Sequence, residues 1–265
     1  MSVDRRANLS LEEFQEEYAR PGRPVILTDA TRGWKALEWT PEYLASTAPE
    51  VQVSAVPTAA NHLGAAVKMS MKDYVDYLQD PDERKLYMIN WAFEKDNPEL
   101  LEGFQIPPYF SDDWLLELGE PLHLMWLFLG PANSGLFMHL DVGHTAAWNA
   151  QLTGSKLWKL WAPGQEECLY EGKVDAFNPD LAIYPRFEEA ETIDCVVETG
   201  ECIFVPSLWW HQTKNREAGL ALTANYVDQF NHEISLEYLK KMPEYEDVYR
   251  GLKRVARRKL RRLAV

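Results

Sequence analysis

The sequence predicts a mainly β fold with surrounding α-helices, in which short antiparallel strands form one barrel or sandwich. Strand-like runs separated by tight turns follow one another through residues 122–230. Helix-capping patterns occur before this region, and helical periodicity returns after His232. No stretch rich in Pro, Gly or Ser divides the chain, so we expect one body rather than two bodies joined by a linker.

The region before residue 122 contributes helices and a few additional strands. Ser10 and Glu13 match a capping box, which predicts a helix over residues 11–19. Thr40 followed by Pro41 is typical of the start of a second helix. The other elements expected here are a helix over 70–78, a short helix from Ser111, and strands over 24–28, 51–56 and 86–91.

Seven strands are expected from residue 122 onward. They are bounded by turn residues and span residues 122–129, 136–141, 146–152, 156–161, 193–197, 202–205 and 220–227. We therefore expect a main domain over residues 1–235, with its barrel core at about 122–230. A C-terminal helical segment with a basic tail occupies residues 236–265.

Charge is distributed unevenly along the 265 residues, which carry 41 acidic and 27 basic side chains for a net charge of -14. Eight of the basic residues and none of the acidic ones lie in residues 250–265, so residues 1–249 carry a net charge of -22. We do not expect this acidic body to bind a nucleic-acid duplex, because phosphate contacts need Lys and Arg.

The composition indicates a protein of the cytoplasm. No apolar run approaches the roughly 20 residues that a membrane-spanning helix needs, and the first residues contain no apolar core of a signal peptide. Cys168, Cys195 and Cys202 are too few and too scattered for a disulfide framework or a zinc cluster.

His139, Asp141 and His211 are the candidate metal ligands. Residues i and i+2 of a strand face the same side, so His139 and Asp141 would project together. His211 follows the predicted strand at 202–205. Two imidazoles and one carboxylate on neighbouring strands can occupy one face of a metal ion, as in non-haem Fe(II) oxygenases. A lone His-x-Asp is weak evidence, because such histidines are often hydrogen-bonded core residues.

Lys156 is the candidate anion-binding residue. Strand alternation places either Lys156 or Lys159 among inward-facing apolar neighbours. Because burying an unpaired ammonium is costly, an inward lysine needs an anion such as a dicarboxylate cosubstrate. The alternative is a solvated lysine at the strand end. Asn149, Thr223 and Asn225 would contact the same ligand or form ordinary hydrogen bonds inside the barrel.

The segment from His139 to Lys156 resembles the JmjC family of Fe(II)- and 2-oxoglutarate-dependent oxygenases, in its small hydroxylase branch. It reads His-Leu-Asp-Val-Gly-His-Thr-Ala-Ala-Trp-Asn-Ala-Gln-Leu-Thr-Gly-Ser-Lys. The resemblance continues at Trp209-Trp-His211 and Thr223-Ala-Asn225, and it covers about residues 10–230. It implies a double-stranded β-helix, which is a jelly roll of the cupin type.

The resemblance also implies an activity and residue roles. The chain would hydroxylate an unactivated C–H bond, with Fe(II) as cofactor and 2-oxoglutarate as cosubstrate. His139, Asp141 and His211 would bind the iron, and Lys156 would pair with the 5-carboxylate of 2-oxoglutarate. The other expected cosubstrate contacts are Tyr87, Asn149, Thr223 and Asn225.

Two positions depart from the family pattern. Relatives often have Ser or Thr three residues before the first metal-binding His, where this chain has Leu136, so one polar contact to the cosubstrate is missing. His144 stands where similar relatives have a small residue. It would contact the substrate, compete as a metal ligand, or simply be a partly exposed residue at a strand bend, which we favour.

The substrate expected from the resemblance is an amino-acid side chain of a protein or peptide. A tRNA nucleoside, a small metabolite and N-demethylation are the alternatives, since demethylation begins with the same C–H hydroxylation. A metal-binding cupin-like protein without turnover is the second hypothesis. A zinc hydrolase is ranked last, because the sequence has no His-Glu-x-x-His pattern.

Residues 250–265 predict a basic amphipathic helix. Its stripe at helical spacing consists of Leu252, Val255, Ala256, Lys259, Leu260 and Leu263. We expect this stripe to pack on the acidic body or on a second copy of the chain. The homodimer is favoured, because members of the resembled family often dimerise through C-terminal helices. Nucleic acid or an anionic surface is the alternative partner.

Overall fold

The computed structural model describes residues 2–263 and contains two β-sheets with helices packed around them. The strands are β1 Asp4–Arg6, β2 Val25–Leu27, β3 Gln52–Val56, β4 Val67–Ser70, β5 Tyr87–Trp91, β6 Met125–Gly130, β7 Ala146–Thr153, β8 Lys156–Trp161, β9 Ile193–Val197, β10 Cys202–Val205, β11 Trp210–Asn215 and β12 Gly219–Tyr226. The larger sheet has the order β1-β2-β10-β7-β12-β6-β5-β3-β4 and the smaller has the order β11-β8-β9. The cupin-like, mainly β fold class expected from the sequence is confirmed.

Helices lie before, between and after the strands. The α-helices are α1 Leu11–Phe14, α2 Pro41–Thr47, α3 Met71–Gln79, α4 Phe93–Asp96, α5 Glu166–Leu169, α6 His232–Leu239 and α7 Glu246–Leu263. A π-helical turn over Gln15–Ala19 extends α1. Short 3-10 helices cover Lys35–Glu38, Leu63–Ala65, Pro98–Gly103, Pro108–Phe110, Trp114–Glu117, Val142–His144, Tyr170–Gly172, Pro185–Glu189 and Pro243–Tyr245. Within the described residues, no helix is both long and apolar enough to cross a membrane.

Local sequence explains where the first helices begin. Ser10 accepts a hydrogen bond from the backbone N–H of Glu13, and the Glu13 carboxylate accepts one from the Ser10 N–H in return. Thr40 accepts a hydrogen bond from the backbone N–H of Tyr43 and so caps α2, with a proline in its first turn.

The two faces of β7 and β12 are covered by different layers. Trp148 and Ala150 face the main hydrophobic core, where Trp148 stacks on Phe110 with ring centroids 5.9 Å apart. Asn149 and Thr223 face the smaller sheet and line a cavity. Alternation along buried strands therefore separates a packed apolar side from a polar side that can hold a ligand.

The strand expected over residues 136–141 is wrong. This segment joins β11 through a single bridge, in which His139 and His211 each donate a backbone hydrogen bond of 3.0 Å to the other. The next bond runs from the Thr213 N–H to the Leu136 carbonyl. Between these bonds the segment 136–139 advances by three residues and β11 by two, so a regular ladder of hydrogen bonds cannot continue.

β11 was not expected from the sequence, because the residues that it turns into the cavity are polar. His211 and Thr213 both line the cavity, so the strand lacks the apolar alternation by which strands are recognised. The short strands β1 and β4 were also missed. They lie at the two edges of the larger sheet and include charged residues, as edge strands often do.

The C-terminal helix packs on its own chain. Leu252, Val255 and Ala256 are buried in a cluster with Trp114 and Val227. The body of the same chain therefore covers Leu252, Val255 and Ala256 of the predicted stripe without a second copy, whereas Leu260 is 40% exposed. The structure does not support the homodimer expected there. The side chain of Leu263 and residues 264–265 lie outside the described part of the chain. The domain boundary expected at residue 235 falls within α6 and stays a prediction.

Candidate metal centre

A cavity of about 410 Å³ lies between the two sheets. Strands β5, β6, β7, β10 and β12 of the larger sheet and strands β8 and β11 of the smaller sheet contribute to its lining. All eight residues singled out by the sequence as metal or cosubstrate contacts line this one cavity. They are Tyr87, His139, Asp141, Asn149, Lys156, His211, Thr223 and Asn225.

His139, Asp141 and His211 converge in this cavity, where one potential ligand atom from each lies within 4.8 Å of the others. The backbone bridge holds the two histidines side by side, with ring centroids 4.2 Å apart. Two imidazoles and one carboxylate are the donors that bind Fe(II) in non-haem oxygenases. Because the three side chains converge from neighbouring backbone segments, they suit binding to one face of a metal ion.

Hydrogen bonds orient both imidazole rings for metal binding. His139 Nδ1 lies 2.8 Å from the Phe137 carbonyl, and His211 Nδ1 lies 3.0 Å from the Trp209 carbonyl. Because a carbonyl only accepts, these contacts assign the proton to Nδ1 and leave Nε2 free as a ligand. Burial and the neighbouring His211 lower the pKa of His139 to about 4, so this ring is neutral at physiological pH, as a metal ligand must be.

Lys156 is buried, with 2% of its surface exposed. Its Nζ donates a hydrogen bond to the Tyr87 hydroxyl at 3.1 Å, and within residues 2–263 it forms no ion pair. Burial lowers the pKa of Lys156 to about 7 and raises that of Tyr87. An ammonium has three N–H donors, and the Tyr87 hydroxyl accepts one of them. The remaining N–H groups can donate to an anion bound in the cavity. Lys159, on the opposite face of β8, instead pairs with Asp194 at 2.8 Å.

Three neutral polar side chains of β7 and β12 complete the inner part of the cavity. Thr223 Oγ1 donates to the Trp148 carbonyl at 2.7 Å and can still accept a hydrogen bond. Asn225 Nδ2 donates to Thr145 Oγ1 at 2.9 Å. The buried Oδ1 of Asn149 has no hydrogen-bond partner in the described part of the chain. This unused acceptor lines the same cavity as the candidate metal ligands, where a bound ligand could donate a hydrogen bond to it.

His144 lies away from the cavity lining. Its ring packs on the Tyr238 ring of α6 with centroids 4.4 Å apart, and its backbone has a φ of 52°. It is therefore a half-buried residue at a bend, and it is not among the three converging candidate metal ligands. Leu136, the other departure from the family pattern, does line the cavity and makes that part of the wall apolar.

Several side chains that line the cavity were not predicted from the sequence. In β6, Leu127 and Leu129 face the main core, whereas Trp126 and Phe128 face the cavity. Alternation within β6 separates these residues into two faces, but both faces are apolar, so the sequence does not reveal which of them lines a cavity. Asn90 also lines the cavity, from a backbone with a φ of 54°.

Comparison with known proteins is consistent with this geometry. The family model described as a cupin-like domain matches residues 11–232. The chain is 32% identical over 267 residues to the arginine-specific demethylase JMJ22 of Arabidopsis thaliana, a match that covers 94% of this chain and 51% of the relative.

Two animal relatives show similar identity. The bifunctional arginine demethylase and lysyl-hydroxylase psr-1 of Caenorhabditis elegans is 34% identical over 245 residues, and the 2-oxoglutarate and iron-dependent oxygenase JMJD4 of Homo sapiens is 30% identical over 251 residues. Each match covers 84% of this chain and 60% of the relative, so the chain spans only part of the length of these proteins. The name of the human relative includes iron and 2-oxoglutarate, which agrees with the expected cofactors. The chain belongs to the family of cupin-like domains, and its resemblance to the JmjC oxygenases is confirmed.

Proposed function

We propose that this chain is an oxygenase that uses Fe(II) and 2-oxoglutarate to hydroxylate an unactivated C–H bond on an amino-acid side chain of a protein or peptide. The proposal depends on one observation. Two imidazoles and a carboxylate converge in the same cavity as a buried lysine that lacks an ion-pair partner among residues 2–263. The imidazoles and the carboxylate suit a metal ion. The buried lysine suits a carboxylate group of a ligand that also reaches the metal.

Each part of this arrangement has a distinct task. His139, Asp141 and His211 would hold Fe(II). Lys156, fixed by the Tyr87 hydroxyl, neutralises the distal carboxylate of 2-oxoglutarate. Bound Fe(II) together with 2-oxoglutarate supplies the oxidising chemistry that no amino-acid side chain provides.

Apolar side chains account for much of the remaining cavity wall. Trp126, Phe128 and Trp158 contribute aromatic faces, and Leu136 and Phe137 contribute further apolar surface. Such walls exclude water from the reacting centre, which strengthens electrostatic contacts inside and limits side reactions. The protein side chains thus bind, orient and shield the reacting groups.

A protein side chain is the substrate class that the relatives favour. Two of them are named for arginine demethylation, and one of these also for lysyl hydroxylation. The charge of -22 on residues 1–249 would attract a cationic segment toward the domain. Demethylation of a methylated side chain is compatible with the same site, because it begins with hydroxylation of the methyl group.

The test is to incubate the protein with Fe(II), 2-oxoglutarate, O2 and a peptide library rich in Lys and Arg, and to search by mass spectrometry for the gain of one oxygen atom or the loss of a methyl group. We expect modified peptides with the wild type and none with His139→Ala. His123→Ala is the matched control, since His123 is exposed beside Glu94 and does not line the cavity. Equal modification by His139→Ala would contradict the proposal.

A further inference from the structure

A row of arginines runs along the exposed side of α7. Arg250, Arg254, Arg257 and Arg261 recur at intervals of four, three and four residues, so they share one face of the helix. All four are exposed. Successive members lie about one helical turn, or ~5.4 Å, apart along the axis. We call these four residues the arginine row.

The fold uses other basic residues of α7 to hold the helix in place. Lys259 pairs with Asp112 at 2.6 Å, and Arg258 pairs with Glu117. By contrast, Arg254, Arg257 and Arg261 form no ion pair with any residue in the described range 2–263. In the arginine row only Arg250 has a partner, Glu246, which lies one turn earlier on the same helix.

We propose that the arginine row binds the phosphate backbone of a single-stranded nucleic acid. A guanidinium binds phosphate through two parallel N–H donors, which a row of arginines repeats at regular spacing. The body beside the helix is acidic, because residues 1–249 carry a net charge of -22. A single strand can follow one helix face, whereas a duplex would bring its second strand toward this negative charge.

A membrane surface fits the same helix poorly. An amphipathic helix that binds a bilayer inserts its apolar face. Here Leu252, Val255 and Ala256 are at most 4% exposed because they pack on the body of the same chain. Among the described side chains of α7, Leu260 is the one exposed large hydrophobic residue, at 40%. One such side chain offers little apolar surface to a bilayer, so the arginine row is the main exposed feature of the helix.

The test uses the full chain and labelled single strands of about 20 nucleotides, longer than the site of a single binding domain. Fluorescence anisotropy would be measured with RNA, with DNA and with a duplex over a range of salt concentrations. The variant is Arg254→Gln, Arg257→Gln and Arg261→Gln combined. We expect the wild type to bind single strands, with log K falling as log salt rises. We expect the variant to bind at least tenfold more weakly, with a slope smaller by about 2, since each phosphate contact contributes roughly 0.7.

A matched control removes the same charge elsewhere. Arg32, Arg84 and Arg186 are exposed and lie outside α7, so their combined replacement by Gln should leave affinity and slope unchanged. Three results would overturn the proposal: no binding of single strands by the wild type, equal loss in both triple variants, or binding to vesicles of phosphatidylserine without binding to RNA or DNA. The measurement needs neither metal nor 2-oxoglutarate, so its failure would leave the proposed oxygenase function standing.

Discussion

Lys156 is the residue whose placement demands a ligand. Its ammonium is buried, faces a cavity and contacts one neutral hydroxyl. In the absence of an anion this arrangement destabilises the fold, because desolvation of a charge is not offset by a partner. Bound 2-oxoglutarate would reverse the balance, so the residue has opposite effects on the free and the bound protein.

Replacing Lys156 with Met separates these two effects. Breaking a buried ion pair costs about 3–5 kcal/mol, so 2-oxoglutarate should bind the Mn(II)-loaded variant at least roughly 100-fold more weakly. The same variant without 2-oxoglutarate should be as stable as the wild type or more stable, as measured by denaturant unfolding. Lys159→Met is the control, because Lys159 lies on the other face of β8. Undiminished 2-oxoglutarate affinity in Lys156→Met would contradict the role of this lysine.

The pKa of Lys156 predicts how 2-oxoglutarate binding depends on pH. Burial lowers this pKa to about 7, so the free protein carries the ammonium below pH 7 and increasingly the neutral amine above it. Binding the dicarboxylate above pH 7 therefore requires uptake of a proton. With metal kept saturating, affinity should fall by up to about tenfold per pH unit above 7. Calorimetry in two buffers of different ionisation enthalpy would measure the uptake. Affinity that stays constant from pH 6.5 to 8.5 would exclude it.

At the scale of elements, α6 braces the turn that follows Asp141. The Tyr238 ring of α6 packs on His144, and the Ser235 hydroxyl donates to the His144 carbonyl at 3.5 Å. The His144 N–H in turn donates to the Asp141 carbonyl at 3.1 Å. Since His144 is a non-glycine residue with a positive φ, its backbone conformation costs free energy, and packing from α6 offsets this cost.

Replacing Tyr238 with Ala should loosen the turn and weaken metal binding by about tenfold, the lower part of the range for residues that orient metal ligands. Tyr238→Phe keeps the ring contact and should bind metal as tightly as the wild type. If the Tyr238 hydroxyl were responsible instead, Tyr238→Phe would lose affinity as Tyr238→Ala does. Mn(II) titration followed by electron paramagnetic resonance measures the effect. Tyr245→Ala, at an exposed position, is the control. Equal metal affinity in Tyr238→Ala and the control would exclude the bracing role.

Elements with regular apolar patterns could be predicted from the sequence, including β7, β8 and β12, which carry candidate cosubstrate contacts. The two segments that carry the candidate metal ligands could not. β8, β9 and β10 occupy the residues expected for them. The strand expected around His139 does not form, because its pairing with β11 ends after one bridge. The strand with His211 was missed, because the residues that it turns into the cavity are polar. The contact of Lys156 with Tyr87 joins residues 69 positions apart and depends on sheet order, which local periodicity does not encode.

At the scale of the whole molecule, the main hydrophobic core and the candidate site lie on opposite faces of the larger sheet. One face of β7 and β12 closes the main core, and the other face forms the cavity against β8 and β11. The candidate metal ligands could be singled out from the sequence, because His139, Asp141 and their neighbours match a family motif, and the structure brings them together. The net charge of -14 is the sum of an acidic body and a basic C-terminal helix, which have separate tasks in the proposed functions.

Release of labelled CO2 from 2-oxoglutarate carrying the label at C1 tests the central claim most directly, because it reports cosubstrate turnover even when the substrate is unknown. We predict release that requires Fe(II) and O2, that disappears in Asp141→Ala, and that persists in His123→Ala. Release no greater than that of a sample without protein, or equal release from Asp141→Ala, would contradict the assignment of this cavity as the site of an Fe(II)- and 2-oxoglutarate-dependent oxygenase.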